Sequence, residues 1–349
     1  MSDTALAPTP IARVTGIALG LAAVVTAIVL AFSWPAVTAE PRDVPLVIVG
    51  PAAAVDGIQT LLDEKADGLF AIDAVDDRAD AVSAIEHREA VGAIVLGQKP
   101  ELLTASAAGA LGAPVAALAA PLQAAITAQA QAAAGPDAPP VVLTTTDVVP
   151  YAADDANGML LSSAFFPLLL GGMLGGIAVS LLVTGPARRI LGTVIYAIVG
   201  GVVLTSILQG WFGSIQGDFW LNASAFTLAL AAIGAPIIGF FSLIGRAGIA
   251  VGPVVMMLFA NPISGAALPA QFLPGGWGAV GQWFPPGAAA TLVRDLSYFP
   301  SADATMPWLV LGCWAVGGLL LAALGHARAA RRPVVTETVT PATSEPATV

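Results

Sequence analysis

Few side chains in this sequence are equipped for covalent chemistry. The 349 residues include two histidines and one cysteine. His87 stands in Glu86-His87-Arg88-Glu89, a charged helix end that suits a solvated imidazole, and the other histidine, His326, is far down the chain. Metal binding needs convergent ligands, so no metal centre is expected. Cys313 lies in an apolar run, where a thiol behaves as a small buried hydrophobe. GxSxG, HExxH and paired Cys/His sets are all missing, so no enzyme activity is expected. Gly50 follows a strand-like run, but GPAAAVDG has neither the GxGxxG spacing nor the Lys-Ser/Thr pair of a phosphate loop, and no cofactor is expected. Asn222-Ala223-Ser224 is a glycosylation sequon by pattern only, because it abuts an apolar run. What remains is polar groups set in apolar surroundings: Gln209, Asn261 with Pro262, and Arg294 with Asp295. In lipid such groups mark a solute path rather than a reaction, although Gln209 sits near the end of its run.

Composition says that lipid is the solvent. Hydrophobic residues make up 57% of the chain and charged residues 10%, and the mean hydropathy is +0.84. A soluble domain carries about 25% charged residues, so a chain this poor in charge cannot solvate a globular surface. The expected fold is an α-helical polytopic membrane protein of about six transmembrane helices, with an inserted extracytoplasmic α/β domain. The net charge is −10, and the segment 35–157 alone holds seventeen acidic and five basic side chains. That charge excludes nucleic acid as a partner.

The first apolar run, 11–34, is long enough for one crossing at 1.5 Å per residue. It reads as an uncleaved anchor behind a cytoplasmic segment 1–10. The rival is a signal peptide with Val37-Thr38-Ala39 at its cleavage site, but its apolar region would be unusually long. Five further spans are expected at 158–184, 190–212, 223–245, 248–264 and 306–325. Arg188 and Arg189, then Arg246, then Arg328, Arg331 and Arg332 fall in alternate connections, whereas Asp218, Asp303 and the acidic segment fall in the others. The positive-inside rule then puts both termini in the cytoplasm of a plasma-membrane protein. A Thr/Pro/Glu-rich cytoplasmic tail, 326–349, reads as disordered. Pro167, Pro236, Pro253 and Pro262 interrupt the runs, as kinks in a packed bundle or as parts of a gated path. Gly171-Gly172-Met173-Leu174-Gly175-Gly176 holds two overlapping GxxxG registers, for packing within the chain or for a dimer contact.

Within the segment 35–157 the hydrophobic period changes. Strands are expected at 44–50, 69–75, 90–96, 101–107 and 141–149. Val55, Ile58, Leu61 and Leu62 share one helical face, Val82 and Ile85 another, and an Ala-rich helix follows from Pro114 to Ala134. Asp77 followed by Asp80 forms an N-cap arrangement. Strand and helix alternation predicts a partly parallel sheet.

The stretch 261–299, NPISGAALPAQFLPGGWGAVGQWFPPGAAATLVRDLSYF, is too broken for a span and too apolar for an open loop. The segment 265–305 is expected to be extracytoplasmic or re-entrant, with a short helix over 287–298 at the outer leaflet and Arg294 facing water or pairing locally. Trp277, Trp283, Phe284, Tyr298 and Trp308 suit an interfacial belt. Asn261-Pro262, Ser264-Gly265, Leu268-Pro269, Phe272-Leu273-Pro274, Trp283 through Gly287 and Arg294 through Phe299 together resemble the ABC-2-type membrane proteins of the YhgE/Pip-like group. Glu89 through Leu96 resembles the point where such domains carry a strand after a helix. The resemblance implies a five-helix membrane block over 158–325 and export-type transport. It also implies that ATP is hydrolysed by a separate nucleotide-binding subunit, in keeping with the lack of a GxxxxGK[ST] loop. Coupling to such a subunit would fall to Arg188, Arg189 and Arg246, on connections that are short for the purpose. The expected function is a permease component working as a homodimer or with a paired permease. The alternative is a non-transporting scaffold or receptor whose extracytoplasmic domain binds an envelope or secretion partner.

Overall fold

The computed structural model describes residues 9–135 and 141–330. The N-terminal residues 1–8, the Pro-rich break at 136–140, Arg331, Arg332 and the rest of the expected tail lie outside the described residues. Helix α1 spans Ile11–Thr38. An α/β unit follows, in the order β1 (Val44–Val49), α2 (Ala52–Lys65), β2 (Phe70–Val75), α3 (Arg78–Glu86), β3 (Gly92–Val95), β4 (Glu101–Thr104), α4 (Ala113–Ala116), α5 (Ala119–Ala134) and β5 (Thr144–Asp147). The helical block comprises α6 (Met159–Leu182), α7 (Pro186–Thr205), α8 (Phe219–Ile244), α9 (Gly248–Pro253), α10 (Trp277–Gly281), α11 (Pro285–Tyr298) and α12 (Thr305–Ala330). All five expected strands form, shortened at their ends.

The sheet runs β2-β1-β3-β4-β5, parallel except where β3 meets β4. β1 is apolar at nearly every position because both of its faces are covered, as in parallel sheets generally. Leu46 and Ile48 pack with Val55, Leu62, Val115 and Leu122. Val47 and Val49 belong to a cluster with Ala81 and Ile85 that runs on into Leu161 and Phe165 of α6. The hydrophobic core is thus continuous from the sheet into the helical block. Asp77 caps α3, accepting from the backbone N–H of Ala79 and Asp80. The Ala-rich stretch is broken between α4 and α5, and Gln123 ties α5 to the approach to β5 by donating to Val141 O (2.9 Å) and accepting from Leu143 N (2.8 Å).

Arg78 grips Glu101 through two N–H donors at 2.6 and 2.9 Å, and Thr146 Oγ1 donates to the same carboxylate at 2.6 Å. The Arg78 contact holds Glu101 below the usual carboxylate range. A depressed folded-state value gives stability that is present above the unfolded value and lost as pH falls through the folded one. Glu101→Gln should therefore differ from the parent in thermal stability at neutral pH and converge with it in acid; equal melting at every pH would refute this.

Among the described residues, six helical stretches are long and apolar enough to cross a membrane: Ile11–Thr38, Ala113–Ala132, Met159–Leu182, Pro186–Trp211, Phe219–Ala260 and Thr305–Arg328. The protein is a helical, multi-pass membrane protein. Two of the six differ from the expected spans. Ala113–Ala132 lies against the sheet, with Val115 and Leu122 buried there. Phe219–Ala260 is not one rod, because Gly245 (φ 73°, ψ −148°) reverses the chain after α8. A Cβ on Gly248 would lie 2.3 Å from Phe240 C, and one on Gly252 2.3 Å from Ile237 Cγ1, so α9 runs back along α8. The helix within the expected fifth span, 248–264, is shorter than that range. It is the 6 residues of α9 and a 7-residue π-helical turn, Val254–Ala260. That is about 20 Å of helix against about 30 Å of hydrocarbon.

Helix α8 is the axis of the block, buried on most sides from Asn222 to Gly239. Glycines set the distances around it. Gly172 and Gly176 of α6 face Ile233 and Gly234, while Gly171 and Gly175 face Tyr196 of α7. Both GxxxG registers are therefore used inside the chain. The contact order makes α6 and α12 parallel to α8 and α7 antiparallel to it. Pro167 and Pro236 are carried within continuous helices. Asp155 starts α6: its carboxylate accepts from Met159 N, Leu160 N and Leu161 N at 3.0, 3.0 and 3.4 Å, and the residue is 6% exposed. Asp155→Ala should destabilise the chain by about 1 kcal/mol or somewhat more, the usual cost of a lost cap. Melting in detergent would measure it, with Asp155→Asn expected to recover most of the loss.

By contrast α1 is uncovered by protein along its length, with Pro35 its one buried residue. It is attached near its C-terminal end, where Trp34 stacks edge-on with Trp277 (6.3 Å) and Glu40 N donates to Phe272 O (3.1 Å).

Candidate functional site

The stretch after α9 folds between the α/β unit and the block. Glycines let its turns cross in contact: a Cβ at Gly281 would lie 1.8 Å from Ile263 O, and one at Gly278 1.8 Å from Ala270 O. Phe272 inserts upward into the sheet's core. Trp283 and Phe284 reach the other way. Trp314 Nε1 donates to Trp283 O at 2.9 Å, and Trp314 lies about 13 Å along α12 from its start. The segment therefore dips beside the helices instead of crossing with them. Thr291 Oγ1 donates to Gln282 Oε1 (2.7 Å) and Gln282 Nε2 donates to Ser264 O (2.9 Å), which fixes α11 over the dip.

Above α11 lies a cavity of about 970 Å³, roofed by the α/β unit and closed at one side by the start of α6. Arg88, Tyr151, Gln282, Thr291, Arg294 and Asp295 supply its principal polar groups. Arg88 comes from the turn after α3, in a left-handed conformation (φ 60°) that a non-glycine residue adopts only where its surroundings hold it. Its guanidinium donates to the Asp295 carboxylate and lies over the Phe299 ring at 5.4 Å. Asp295 is 3% exposed. Burial pushes its carboxyl above the ordinary value, and the Arg88 and Arg294 charges draw it part of the way back. Tyr298 donates to Ser214 O at 2.6 Å and meets Tyr151 edge-on at 5.8 Å, and burial pushes its phenol up to about 12.

No protein-family model matches the chain, and no curated protein matches it in sequence.

The residues singled out from the sequence fall in different places. Arg294 and Asp295 meet at the cavity, but Asp295 pairs with Arg88, 207 positions away, and Arg294 has neither an ion pair nor a hydrogen bond among the described residues. Of the two expected states, local pairing is not seen, and the half-buried Arg294 side chain lines the cavity. Gln209 is occupied elsewhere: in a π-helical turn that ends the α7 run, it donates to Gly217 O (2.9 Å) and accepts from Asn222 Nδ2 (3.1 Å). Those bonds clamp the turn into α8. Asn222 is completely buried, so the sequon is inaccessible. Asn261 accepts from Ser264 through its backbone carbonyl (2.7 Å from Oγ) and, like Pro262, lies outside the cavity wall. Arg189 pins the turn into α7, donating to Val183 O (2.7 Å) and lying 4.6 Å above the Phe241 ring. Arg188 and Arg246 are exposed. His87 is exposed at the cavity rim.

Arg88 and Tyr151 were not recognisable beforehand. Arg88 reads as one of several charges at a helix end, and nothing local names its partner. Gln282 could have been found, as an uncharged polar residue in an otherwise apolar, Pro/Gly-rich stretch.

Proposed function

We propose that this chain is the membrane-embedded permease component of an ABC-2-like export system, and that its solute binds in the cavity between α11 and the α/β unit. The observation that carries this reading is the cavity itself: about 970 Å³, lined by polar and apolar side chains together, and set at the end of the block where a chain segment dips beside the spans. Sites of this kind are the default binding hypothesis in an unassigned fold. The spacing of the 261–299 stretch and its resemblance to the YhgE/Pip-like group support the transport class.

The orientation follows from charge. The α6–α7 turn, the α8–α9 turn and the C-terminal end of α12 lie at one end of the block, because Arg189 stacks on Phe241 and Gly325 meets Ser242. Arg188, Arg189, Arg246 and Arg328 all stand at that end, opposite the α/β unit. The positive-inside rule places them in the cytoplasm of a plasma-membrane protein, with both termini inside and the α/β unit as an extracytoplasmic domain. Arg188 and Arg246, exposed there, are the side chains that a nucleotide-binding subunit would grip, while Arg189 holds the turn. The lipid bilayer is the obligatory partner, and a homodimer or a paired permease would complete the path.

A second reading has its own support. α8 is buried on most sides by apolar and small residues, which leaves no polar route along the axis of a single chain. That favours a receptor or scaffold whose extracytoplasmic unit binds an envelope partner. Gentle purification from the native membrane, followed by mass spectrometry of associated proteins, separates the two. A stoichiometric nucleotide-binding subunit is the expected result. Recovery with extracytoplasmic or secretion partners and no ATPase would transfer the assignment to the scaffold.

A further inference from the structure

The cavity wall holds a guanidinium that makes no ion pair and no hydrogen bond among the described residues. Arg88 and Arg294 both line it, and the Asp295 carboxylate is engaged by Arg88. The other carboxylates at the cavity, Glu89 and Asp303, are exposed at its rim, and Asp303 caps α12 by accepting from Thr305 N at 2.9 Å. Arg294 is thus a half-buried cation facing a second cation, with no partner among the described residues. Guanidinium groups stay protonated in proteins, so Arg294 cannot relieve this by neutralising. Burial draws its affinity for the proton down, and the like charge of Arg88 adds to the effect. A cation half withdrawn from water with no bonded partner is costly to keep, and a flat five-donor fork matches an oxyanion in bidentate fashion.

We propose that Arg294 is the anchor of an anion subsite that takes the carboxylate or phosphate head of an amphiphile. The shape of the cavity selects the amphiphile. Leu111, Leu268 and Phe299 stand in the same wall, and the dipping segment below it carries Trp277, Trp283 and Phe284 toward the helices. A head group on Arg294 would leave its chain facing apolar surface. This subsite rests on the reading of the cavity as the solute site and adds the charge of the solute to it.

The test is equilibrium binding of radiolabelled dodecyl phosphate to the full chain in zwitterionic nanodiscs. Saturable binding is expected, weakened about tenfold or more by Arg294→Gln, as for the loss of a charge-assisted hydrogen bond. Arg294→Lys should retain part of the affinity, and Lys99→Gln, which removes an exposed cation from the α/β unit, should retain all of it. Unlabelled inorganic phosphate and dodecanol then separate the sources. Competition by phosphate alone assigns the site to a free anion and overturns the amphiphile. Competition that needs both head and chain upholds it. Equal binding by parent and Arg294→Gln, with both proteins monodisperse and melting alike, overturns the subsite. Failure here alongside a co-purifying nucleotide-binding subunit would remove the subsite and leave the permease. Binding without such a subunit would do the reverse.

Discussion

Asp295→Ala is expected to lower the stability of the full chain by about 3 kcal/mol, because it leaves the Arg88 guanidinium without its bonded carboxylate beside a second cation, Arg294. Removing one member of a buried pair usually costs about 3–5 kcal/mol, and the quarter-exposed side chain of Arg88 places this pair at the lower end. The bond also joins the α/β unit to α11, so its loss should open the junction to protease before the helices melt. Asp295→Asn should cost less than Asp295→Ala, since an amide oxygen still accepts from Arg88. Pairing Arg88→Met with Asp295→Leu should recover much of the loss, because the desolvation of both charges disappears together. Thermal melting with limited proteolysis measures all three variants. A double variant as unstable as Asp295→Ala would show that the contact is held by something other than charge. The pH dependence has a definite sign. The folded-state value of Asp295 is raised, so the fold takes up this proton more readily than the unfolded chain does, and this group alone adds stability as pH falls through that value. Glu101 acts in the opposite sense, and its contribution is lost in acid.

Gly318→Leu and Gly317→Leu are expected to differ sharply although the two positions are adjacent. A Cβ at Gly318 would lie 2.4 Å from the carbonyl carbon of Ala235 and 2.4 Å from the nitrogen of Pro236, both backbone atoms of the central helix. Nothing lies within 4 Å of a Cβ at Gly317. Overpacking a rigid contact costs about 1–3 kcal/mol, and here the whole α8–α12 interface would have to separate. Loss of the folded, monodisperse protein is the expected result for Gly318→Leu. At Gly317 the same residue should be neutral or should stabilise by up to about 0.8 kcal/mol, the helix-propensity gain over glycine. Yield and melting temperature in one detergent decide the matter. Equal damage at both positions would mean that the 317 face is also packed, against lipid or a second subunit.

Much of the architecture was legible because it depends on local pattern. A chain with 10% charged residues has to live in lipid. The run VPLVIVG announced a strand buried on both faces, and Asp77 announced a helix start, since period and capping are read over a few residues. The alternating arginines sorted the connections into two sets, and the helix packing then gathered Arg189, Arg246 and Arg328 at one end of the block. What could not be read was anything set by close approach between distant segments. The fifth apolar run has the hydropathy of a span, but the turn at Gly245 and the contacts of Gly248 and Gly252 fold its short helix back on α8. Gln209 reads from the sequence as a polar residue in a membrane path, and only the fold shows the two bonds by which it clamps a turn. Arg294 and Asp295 stand side by side in the sequence and suggest a local pair, yet successive side chains on a helix diverge by about 100°, the angle that follows from 3.6 residues per turn. Helix geometry thus turned Asp295 toward Arg88, and only the docking of the α/β unit onto α11 brought Arg88 there and left Arg294 facing the cavity with no bonded partner.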